Sequence, residues 1–239
     1  MRSTRHIMGM PVTLEVPDGK GAEAVMEAAF DRLVWADETF STYKPGSQIS
    51  RLNRGELRRE QVDREALEVL EACEEMREVT GGYFDIRRPG GTTDPSGYVK
   101  GWAIREAAET LRQAGVERYF VEAGGDMQVR GEWRVGIRNP FNRREVVKAL
   151  KVRDMGVATS GTYERGNHIY DPHTGEPAMG LASLTVLGPD IVTADVYATA
   201  AFAMGPRGAE WVATQGLECY AVTPDGKATF TPGLSRFFL

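Results

Sequence analysis

Residues 193–205 read TADVYATAAFAMG and predict the helix around which this fold is built. The segment is rich in alanine, ends at a glycine and carries one charged side chain, Asp195. A helix that is apolar on most sides is buried in a protein core. Other elements must therefore cover residues 193–205, and a carboxylate at this place needs an ion-pair partner or a bound cation.

Hydrophobic patterns on both sides of this helix predict an interspersed set of helices and strands. Helical spacing indicates helices over 21–37, 62–79, 102–115 and 209–216. Alternating or apolar runs indicate strands over 10–16, 118–123, 127–131, 133–139, 146–154, 155–161 and 183–188, and a hairpin over 219–233. Residues 127–131 and 133–139 are expected to pair with each other, whereas 40–56 and 83–101 are expected to be loops. Because no regular βαβ alternation is present, the predicted fold class is α+β, in a single domain over residues 1–239.

Composition and charge exclude several classes of function. The chain of 239 residues is 41% hydrophobic and 26% charged, as in globular proteins, and its net charge is −5. We therefore expect no nucleic-acid or membrane partner, since no overall basic field exists and no segment reaches the ~18 apolar residues of a membrane span. The N-terminus has no apolar run of signal-peptide length, which favours a cytoplasmic location. Cys73 and Cys219 belong to no metal-binding pattern and are expected to be buried, reduced thiols.

Asp195 and Thr199 form the first candidate site. They are four residues apart and so lie on one face of the predicted helix, where a carboxylate and a hydroxyl oxygen can reach one point. Hard oxygen ligands suit Mg²⁺, which keeps bound waters and often contacts substrate phosphates. The alternative is that Asp195 caps or pairs near the helix start and that Thr199 is simply small enough to pack there.

Three further residues sit in sequence contexts that are typical of binding sites. Lys100 lies between two glycines just before a predicted helix, where an anion could bind, although a solvated lysine is the simpler interpretation. Asp126 follows a Gly-Gly pair at the end of a predicted strand, where it either contacts a ligand or caps the turn. Tyr43 lies in a polar loop, where it either stacks on a planar ligand or anchors the loop.

Residues 157–175, VATSGTYERGNHIYDPHTG, combine small residues with two of the three histidines of the chain. Ser160 and His168 could form a nucleophile pair, but the G-x-S-x-G elbow of serine hydrolases is absent and no third member can be assigned. The Asp-Pro and Thr-Gly pairs predict a turn around His173.

Five blocks in this order resemble the FAD:protein FMN transferase (ApbE) family. They are MGMPVTLEV (8–16), FSTYKPGSQISRLN (40–53), GYFDI (82–86) with SGYVKGWAI (96–104), FVEAGGDMQVRGEWRVGIRNP (120–140), and VATSGTYERGNHIYDPHTGEPA (157–178) followed by TADVYATAAFAMG (193–205). The resemblance covers about residues 7–205, and the last block with its helix is the most specific part.

This resemblance implies an activity and a set of site residues. The activity is the Mg²⁺-dependent transfer of FMN from FAD to a Thr or Ser hydroxyl of an acceptor flavoprotein, with release of AMP. The resemblance assigns the metal to Asp195, Thr199 and the carbonyl of Ala158, and the general base to His168, while His173 is expected to face solvent and be dispensable. Positions around the FAD are Met8, Gly9, Tyr43, Asp85, Lys100, Gly124, Gly125, Asp126, Ser160, Gly161, Thr162 and Tyr163.

The chain departs from the family pattern at two places, and the residues leave two other functions open. Met10 stands where the family usually has Thr, and residues 96–99 replace a Gly-Gly-Ile-Ala stretch, so contacts with the nucleotide are expected to differ there. A hydrolase with the same metal site would split FAD into FMN and AMP with water. A flavin-binding protein without activity would need neither Asp195 nor Thr199. The acceptor and the oligomeric state cannot be deduced from the sequence.

Overall fold

A computed structural model describes residues 1–17, 19, 21–88, 90–162 and 169–239. An eight-stranded antiparallel sheet has the order β1-β2-β3-β4-β7-β8-β9-β10, and β5 and β6 form a separate two-stranded ribbon. The strands are β1 (Arg2–Ile7), β2 (Met10–Glu15), β3 (Tyr119–Ala123), β4 (Asp126–Arg130), β5 (Glu132–Asn139), β6 (Asn142–Arg153), β7 (Gly156–Gly161), β8 (Ser183–Gly188), β9 (Glu218–Val222) and β10 (Ala228–Phe230). The α+β prediction is confirmed.

Six α-helices accompany the sheet in the described part of the chain. They are α1 (Glu23–Phe40), α2 (Gln48–Asn53), α3 (Arg64–Val79), α4 (Ser96–Gln113), α5 (Ile191–Ala203) and α6 (Gly208–Thr214). The segment that predicted a buried helix is α5, in which ten of thirteen residues are buried. It contacts β7 and β8 beneath it and α4 beside it. This central position buries Asp195 and leaves Thr199 half-buried.

The two faces of the sheet bury different partners. On one face of the sheet, the helices pack against alternate strand residues such as Leu14, Val121 and Leu184. The opposite face presents residues such as Val129 and Leu187 to the ribbon. The ribbon covers this face with four buried side chains, Val135, Ile137, Leu150 and Val152. Such alternation is the period of two that strands impose on their side chains.

The structure corrects the predicted elements at four places. β1, which pairs with β2 throughout, was not predicted, and the polar loop 40–56 contains the short helix α2. Helix α4 begins at Ser96 rather than at 102, so Lys100 lies inside it and not before it. The predicted pairing of 127–131 with 133–139 is wrong, because β4 pairs with β3 and β7. The Gly131 N–H donates to Asp154 Oδ1 (2.7 Å), which ties the two ends of the ribbon together.

Candidate active site

Three charged side chains from three elements meet where α4, β4 and α5 converge. The Lys100 ammonium forms ion pairs with Asp126 Oδ2 and, at 3.4 Å, with Asp195 Oδ1. Asp126 and Asp195 are 1% and 3% exposed, whereas the Lys100 side chain is 26% exposed. Lys100 is therefore not a solvated lysine, and Asp195 has the ion-pair partner that its burial demands.

Two backbone N–H groups complete this cluster, and neither could be predicted from the sequence. Gly101 N donates to Asp195 Oδ2 (3.1 Å), and Thr159 N donates to Asp126 Oδ1 (2.8 Å). A Cβ at position 101 would lie only 3.1 Å from Asp195 Oδ2 and from the carbonyl oxygen of Ile191, so glycine permits the close approach of α4 to α5. Because α4 begins at Ser96, Gly101 lies inside a helix, where glycine costs about 1 kcal/mol relative to alanine.

The cluster holds one negative charge in excess when both carboxylates are ionised. Burial alone would lower the pKa of Lys100, but the charges of Asp126 and Asp195 outweigh it, and the pKa is raised. Burial raises the pKa of Asp195, while Lys100 and the Gly101 N–H oppose this rise and Asp126 adds to it. Lys100 therefore stays protonated at neutral pH, and the surplus negative charge favours a further cation nearby.

A second pair of polar groups joins α5 to β7. Ser160 Oγ and Thr199 Oγ1 are 3.4 Å apart. Ala158, two residues before Ser160, is fully buried and lies on the same face of β7, because alternate strand residues point the same way. Asp190, not Asp195, caps the helix: its Oδ1 accepts from the N–H groups of Val192 (2.9 Å) and Thr193 (3.1 Å). The alternative role of Asp195 as a cap is therefore wrong.

Two glycine-containing turns lie next to each other at the same end of the sheet. Met8 and Gly9, between β1 and β2, and Gly124 and Gly125, between β3 and β4, all have positive φ angles. A Cβ at position 124 would lie 2.9 Å from the sulfur of Met10, so the methionine that replaces the family's usual threonine fills space over Gly124. The Gly125 N–H donates to Glu122 Oε1 (2.6 Å), so Glu122 holds this turn, while Asp126 is used by Lys100 and Thr159.

Tyr43 and Asp85 occupy loops with different degrees of exposure. The Tyr43 side chain is 92% exposed, so the alternative of a buried loop anchor is wrong and its ring is accessible. Asp85 accepts from the guanidinium groups of Arg77 (2.9 Å) and Arg87 (2.9 Å). The adjacent Phe84 lies against the first turn of α4, where a Cβ at Gly97 would be 3.3 Å from its ring.

Part of the predicted site lies outside the described residues. The candidate base His168 and the candidate FAD-binding residue Tyr163 belong to 163–168. Gly161 ends β7, and the Thr162 N–H donates to the carbonyl of Ala182 (3.2 Å). The turn predicted around His173 is present: Asp171 Oδ1 accepts from its N–H (2.9 Å), and Asp171 O accepts from Gly175 N (2.8 Å).

His173 itself is exposed, as predicted, and its ring packs edge-on against Tyr83 with centroids 4.6 Å apart. Both cysteines are buried free thiols, also as predicted. Within the described ranges, no three His, Cys, Asp or Glu side chains converge to hold a metal ion. In the same ranges, no helix has the length and apolar character needed to cross a bilayer.

The family model of the ApbE family matches residues 8–89 and 86–221, which is most of the chain. The chain belongs to the ApbE family. Two curated relatives bear the name FAD:protein FMN transferase. That of Escherichia coli (strain K12) is 32% identical over 160 residues, covering 59% of this chain and 46% of that protein. That of Vibrio cholerae is 36% identical over 128 residues, covering 47% of this chain and 38% of that protein. The matched region is thus less than half the length of either relative.

Solved ApbE structures share the fold over the whole chain. The ApbE protein of Thermotoga maritima superposes with a TM-score of 0.87 at 22% identity and covers 100% of this chain and 99% of its own. The flavinyl transferase ApbE of Pseudomonas stutzeri gives a TM-score of 0.84 at 24% identity, with coverage of 100% and 96%. These similarities confirm the family-level fold that the sequence blocks predicted.

Proposed function

We propose that this chain is an FAD:protein FMN transferase, which moves FMN from FAD to a Thr or Ser hydroxyl of an acceptor flavoprotein. The names of its ApbE relatives support the reaction class. The observation that carries the proposal is the cluster of Lys100, Asp126 and Asp195, which lies beside a hydroxyl pair and holds one surplus negative charge when both carboxylates are ionised. This arrangement suits a site that takes a divalent cation together with a pyrophosphate.

The transfer breaks one phosphoanhydride bond and forms one phosphoester. The hydroxyl oxygen of the acceptor attacks the phosphorus on the flavin side of FAD, the bond to the second phosphate breaks, and AMP leaves with the bonding electron pair. The hydroxyl proton goes to a general base, for which we propose His168, since an imidazole titrates near neutral pH. Negative charge spreads over the phosphoryl oxygens and must be neutralised for the reaction to proceed.

The residues present fit a magnesium ion. Asp195 offers a carboxylate, Thr199 a hydroxyl and Ala158 a carbonyl, and oxygen donors of this kind are those that Mg²⁺ prefers. Bound Mg²⁺ supplies a Lewis acid that polarises the phosphoryl oxygens. Lys100 fixes the Asp195 carboxylate from one side, and the Gly101 N–H fixes it from the other. The Lys100 side chain is 26% exposed, and its ammonium places a positive charge beside the two carboxylates.

The remaining site residues are proposed to bind FAD. The exposed ring of Tyr43 is free to stack on the isoalloxazine. The backbone turns at Met8-Gly9 and Gly124-Gly125 leave room for a ligand at Gly9 and Gly125, where a Cβ would meet nothing within 4 Å. We assign Asp85, Asp126 and residues 160–163 to the same binding surface.

Incubation with FAD, Mg²⁺ and a panel of candidate acceptor proteins tests this function. We expect mass spectrometry to find the mass of one FMN, less one water, on a Thr or Ser of an acceptor. Asp195→Asn should abolish the Mg²⁺-dependent reaction and keep the fold. His168→Ala should slow transfer by roughly 10²–10⁴-fold. His173→Ala is the matched control and should retain activity.

Two outcomes would contradict the transferase assignment. Release of free FMN and AMP at the same rate with and without acceptors would identify a hydrolase instead. Binding of FAD without any turnover, unaffected by Asp195→Asn, would leave a flavin-binding protein. Full activity of Asp195→Asn would overturn the metal assignment but not the transferase assignment.

A further inference from the structure

The ribbon formed by β5 and β6 has a charge opposite to that of the rest of the chain. Residues 132–153, here called the basic ribbon, contain seven Lys and Arg residues and two Glu residues, a net charge of +5. The whole chain has a net charge of −5, so the remaining residues carry −10. The overall acidity therefore conceals a local basic field, which can attract an acidic partner to this surface.

Three arginines of the basic ribbon are free to meet such a partner. Arg134, Arg138 and Arg144 are exposed, and no carboxylate of the described residues lies within ion-pair distance of them. By contrast, Lys151 and Arg153 share Glu132 at 3.0 Å and 3.5 Å. Arg134 and Arg138 lie on the outer face of β5, because the intervening Val135 and Ile137 are buried against the sheet.

Exposed apolar side chains accompany Arg138 and Arg144 at the tip of the basic ribbon, whereas Arg134, opposite Lys151, lies nearer its base. Phe141 and Val146 are 59% and 57% exposed. Arginine and aromatic residues together are the composition that is enriched in protein–protein interfaces, and such pairs frequently carry most of the binding energy. A surface built only for solubility would have no need of an exposed phenylalanine.

The tip lies at the same end of the sheet as the candidate active site. Phe141 lies against Gly226, in the β9–β10 turn: a Cβ there would be 3.9 Å from its ring. Gly161, at the end of β7 that lies at the candidate site, pairs with Ser183 of β8, and Ser183 pairs with Val222 at the end of β9. The β9–β10 turn therefore lies at the same end of the sheet as this end of β7, two strands away. The lateral distance between β7 and β9 is about 10 Å. A 100-residue domain has a radius of gyration of about 13 Å, so one bound protein can cover both places.

We propose that the basic ribbon is the docking surface for the acceptor protein, and that it recognises an acidic face next to the modified Thr or Ser. The inference rests on the proposed transferase function, because only that function requires a protein to bind at this end of the sheet. Pairing of exposed charges steers association, and a complex held by such pairs dissociates readily. This suits an enzyme that must release each flavinylated product.

Two charge-reversal variants separate this surface from the rest of the protein. Ribbon variant R134E/R138E/R144E removes the three free arginines, and control variant R58E/R59E/R64E makes the same charge change at exposed positions before and at the start of α3. None of these six residues belongs to the candidate active site. Both variants should bind FAD as the wild-type chain does.

The first arm measures binding without any acceptor. The probes are a fluorescent peptide of alternating Asp and Glu, vesicles of phosphatidylglycerol, and a short DNA duplex. We expect the peptide to bind the wild-type and control chains, and to lose at least about tenfold in affinity with the ribbon variant or on a rise in salt. Binding to vesicles or to DNA but not to the peptide would overturn the proposal, as would peptide binding that the ribbon variant retains. Self-association lost only in the ribbon variant would assign this surface to a second copy of the chain.

The second arm measures FMN transfer to the acceptor that the mass-spectrometry experiment identifies. We expect the ribbon variant to raise KM for the acceptor about tenfold at low salt, with kcat and KM for FAD unchanged. An unchanged KM for the acceptor overturns the docking role while the transferase assignment stands. If neither the wild-type chain nor any variant transfers FMN, the proposed transferase function is refuted. The peptide-binding measurement still decides what the basic ribbon binds.

Discussion

Replacing Lys100 by methionine tests whether the charged cluster is balanced as the structure indicates. Methionine keeps the length and apolar stem of the side chain but removes the ammonium group. Two carboxylates, Asp126 and Asp195, then face each other in a space where they are 1% and 3% exposed. Because no cation compensates them, the folded state of K100M should be destabilised.

The size of this effect follows from the geometry and is limited by protonation. The 3.4 Å contact between Lys100 Nζ and Asp195 Oδ1 corresponds to about 5 kcal/mol of Coulomb energy at an effective dielectric constant of about 20. Breaking a buried pair usually costs about 3–5 kcal/mol. One carboxylate can instead take up a proton, which costs about 1.4 kcal/mol for each pH unit above its unfolded pKa of about 3.9, or about 4 kcal/mol at pH 7. We expect a loss of about 3–4 kcal/mol at pH 7.

The loss should depend on pH in one direction. In K100M the folded-state pKa of the carboxylate is raised above its unfolded value, so the folded state binds the proton more tightly. Stability is then lost as pH rises above about 4. Burial already raises the pKa of Asp195 in the wild-type chain and Lys100 opposes that rise, so the deficit of K100M relative to the wild type should shrink by at most about 1.4 kcal/mol per unit as pH falls from 7 to 5. Urea unfolding in a buffer with EDTA, which removes any divalent cation, measures this difference.

Two matched variants make the test decisive. Lys151→Met removes a lysine with an exposed partner, Glu132, at 3.0 Å and should have little effect on stability, because solvent screens such a pair. The double variant K100M/D126N removes one of the two carboxylates, and its amide oxygen still accepts from Thr159 N, so it should recover at least about 2 kcal/mol. A K100M loss no larger than that of Lys151→Met, or one that does not change with pH, would refute the balanced-cluster interpretation.

Three further predictions concern packing, thiol reactivity and a surface carboxyl. Gly156→Ala should cost roughly 1–3 kcal/mol in thermal or urea unfolding, because a Cβ there overlaps the backbone at the start of α5, whereas Gly46→Ala, with open space around it, should be near neutral. The two cysteine thiols should resist a thiol reagent until the chain is unfolded, since burial raises the pKa of both. The hydrogen bond from Arg112 lowers the pKa of Glu109 to about 2, so the pair should stabilise the fold above pH ~4.3 and lose this effect as pH falls through about 2. Carboxyl NMR should show that pKa returning toward its usual value in Arg112→Ala.

The sequence predicted the centre of the fold better than its edges. The run at 193–205, in which Asp195 is the only charged residue, predicted a buried helix, and α5 is buried on nearly all sides. It also predicted that Asp195 lies inside the protein. Its ion-pair partner could not be predicted, because Lys100 and its flanking glycines look like a loop in isolation. Only the three-dimensional structure shows that Gly101 allows α4 to approach Asp195.

Two features could not be predicted from the sequence for physical reasons: the short helix α2 and the course of the chain after Gly131. Helix α2 has six residues, too few to show a helical period, and it is stabilised by the Ser47 side chain, which accepts from Ser50 N (3.0 Å). The Gly131-Glu132 pair between two strand-like runs suggested a two-residue hairpin turn. The long-range bond from Gly131 N to Asp154 instead leads the chain into the ribbon, and no local pattern signals such a bond.

The order of strands in the sheet also sets a time scale for synthesis. β2 pairs with β3, so that Glu15 lies opposite Phe120, although about a hundred residues of chain separate them. At about 5–20 residues per second, a ribosome needs roughly 5–20 s to make that intervening chain. During this interval one edge of the first hairpin has no neighbour, and it presents unpaired backbone groups on which other nascent chains can add. Cells that make this protein quickly should therefore depend on chaperones mainly before residue 123 emerges.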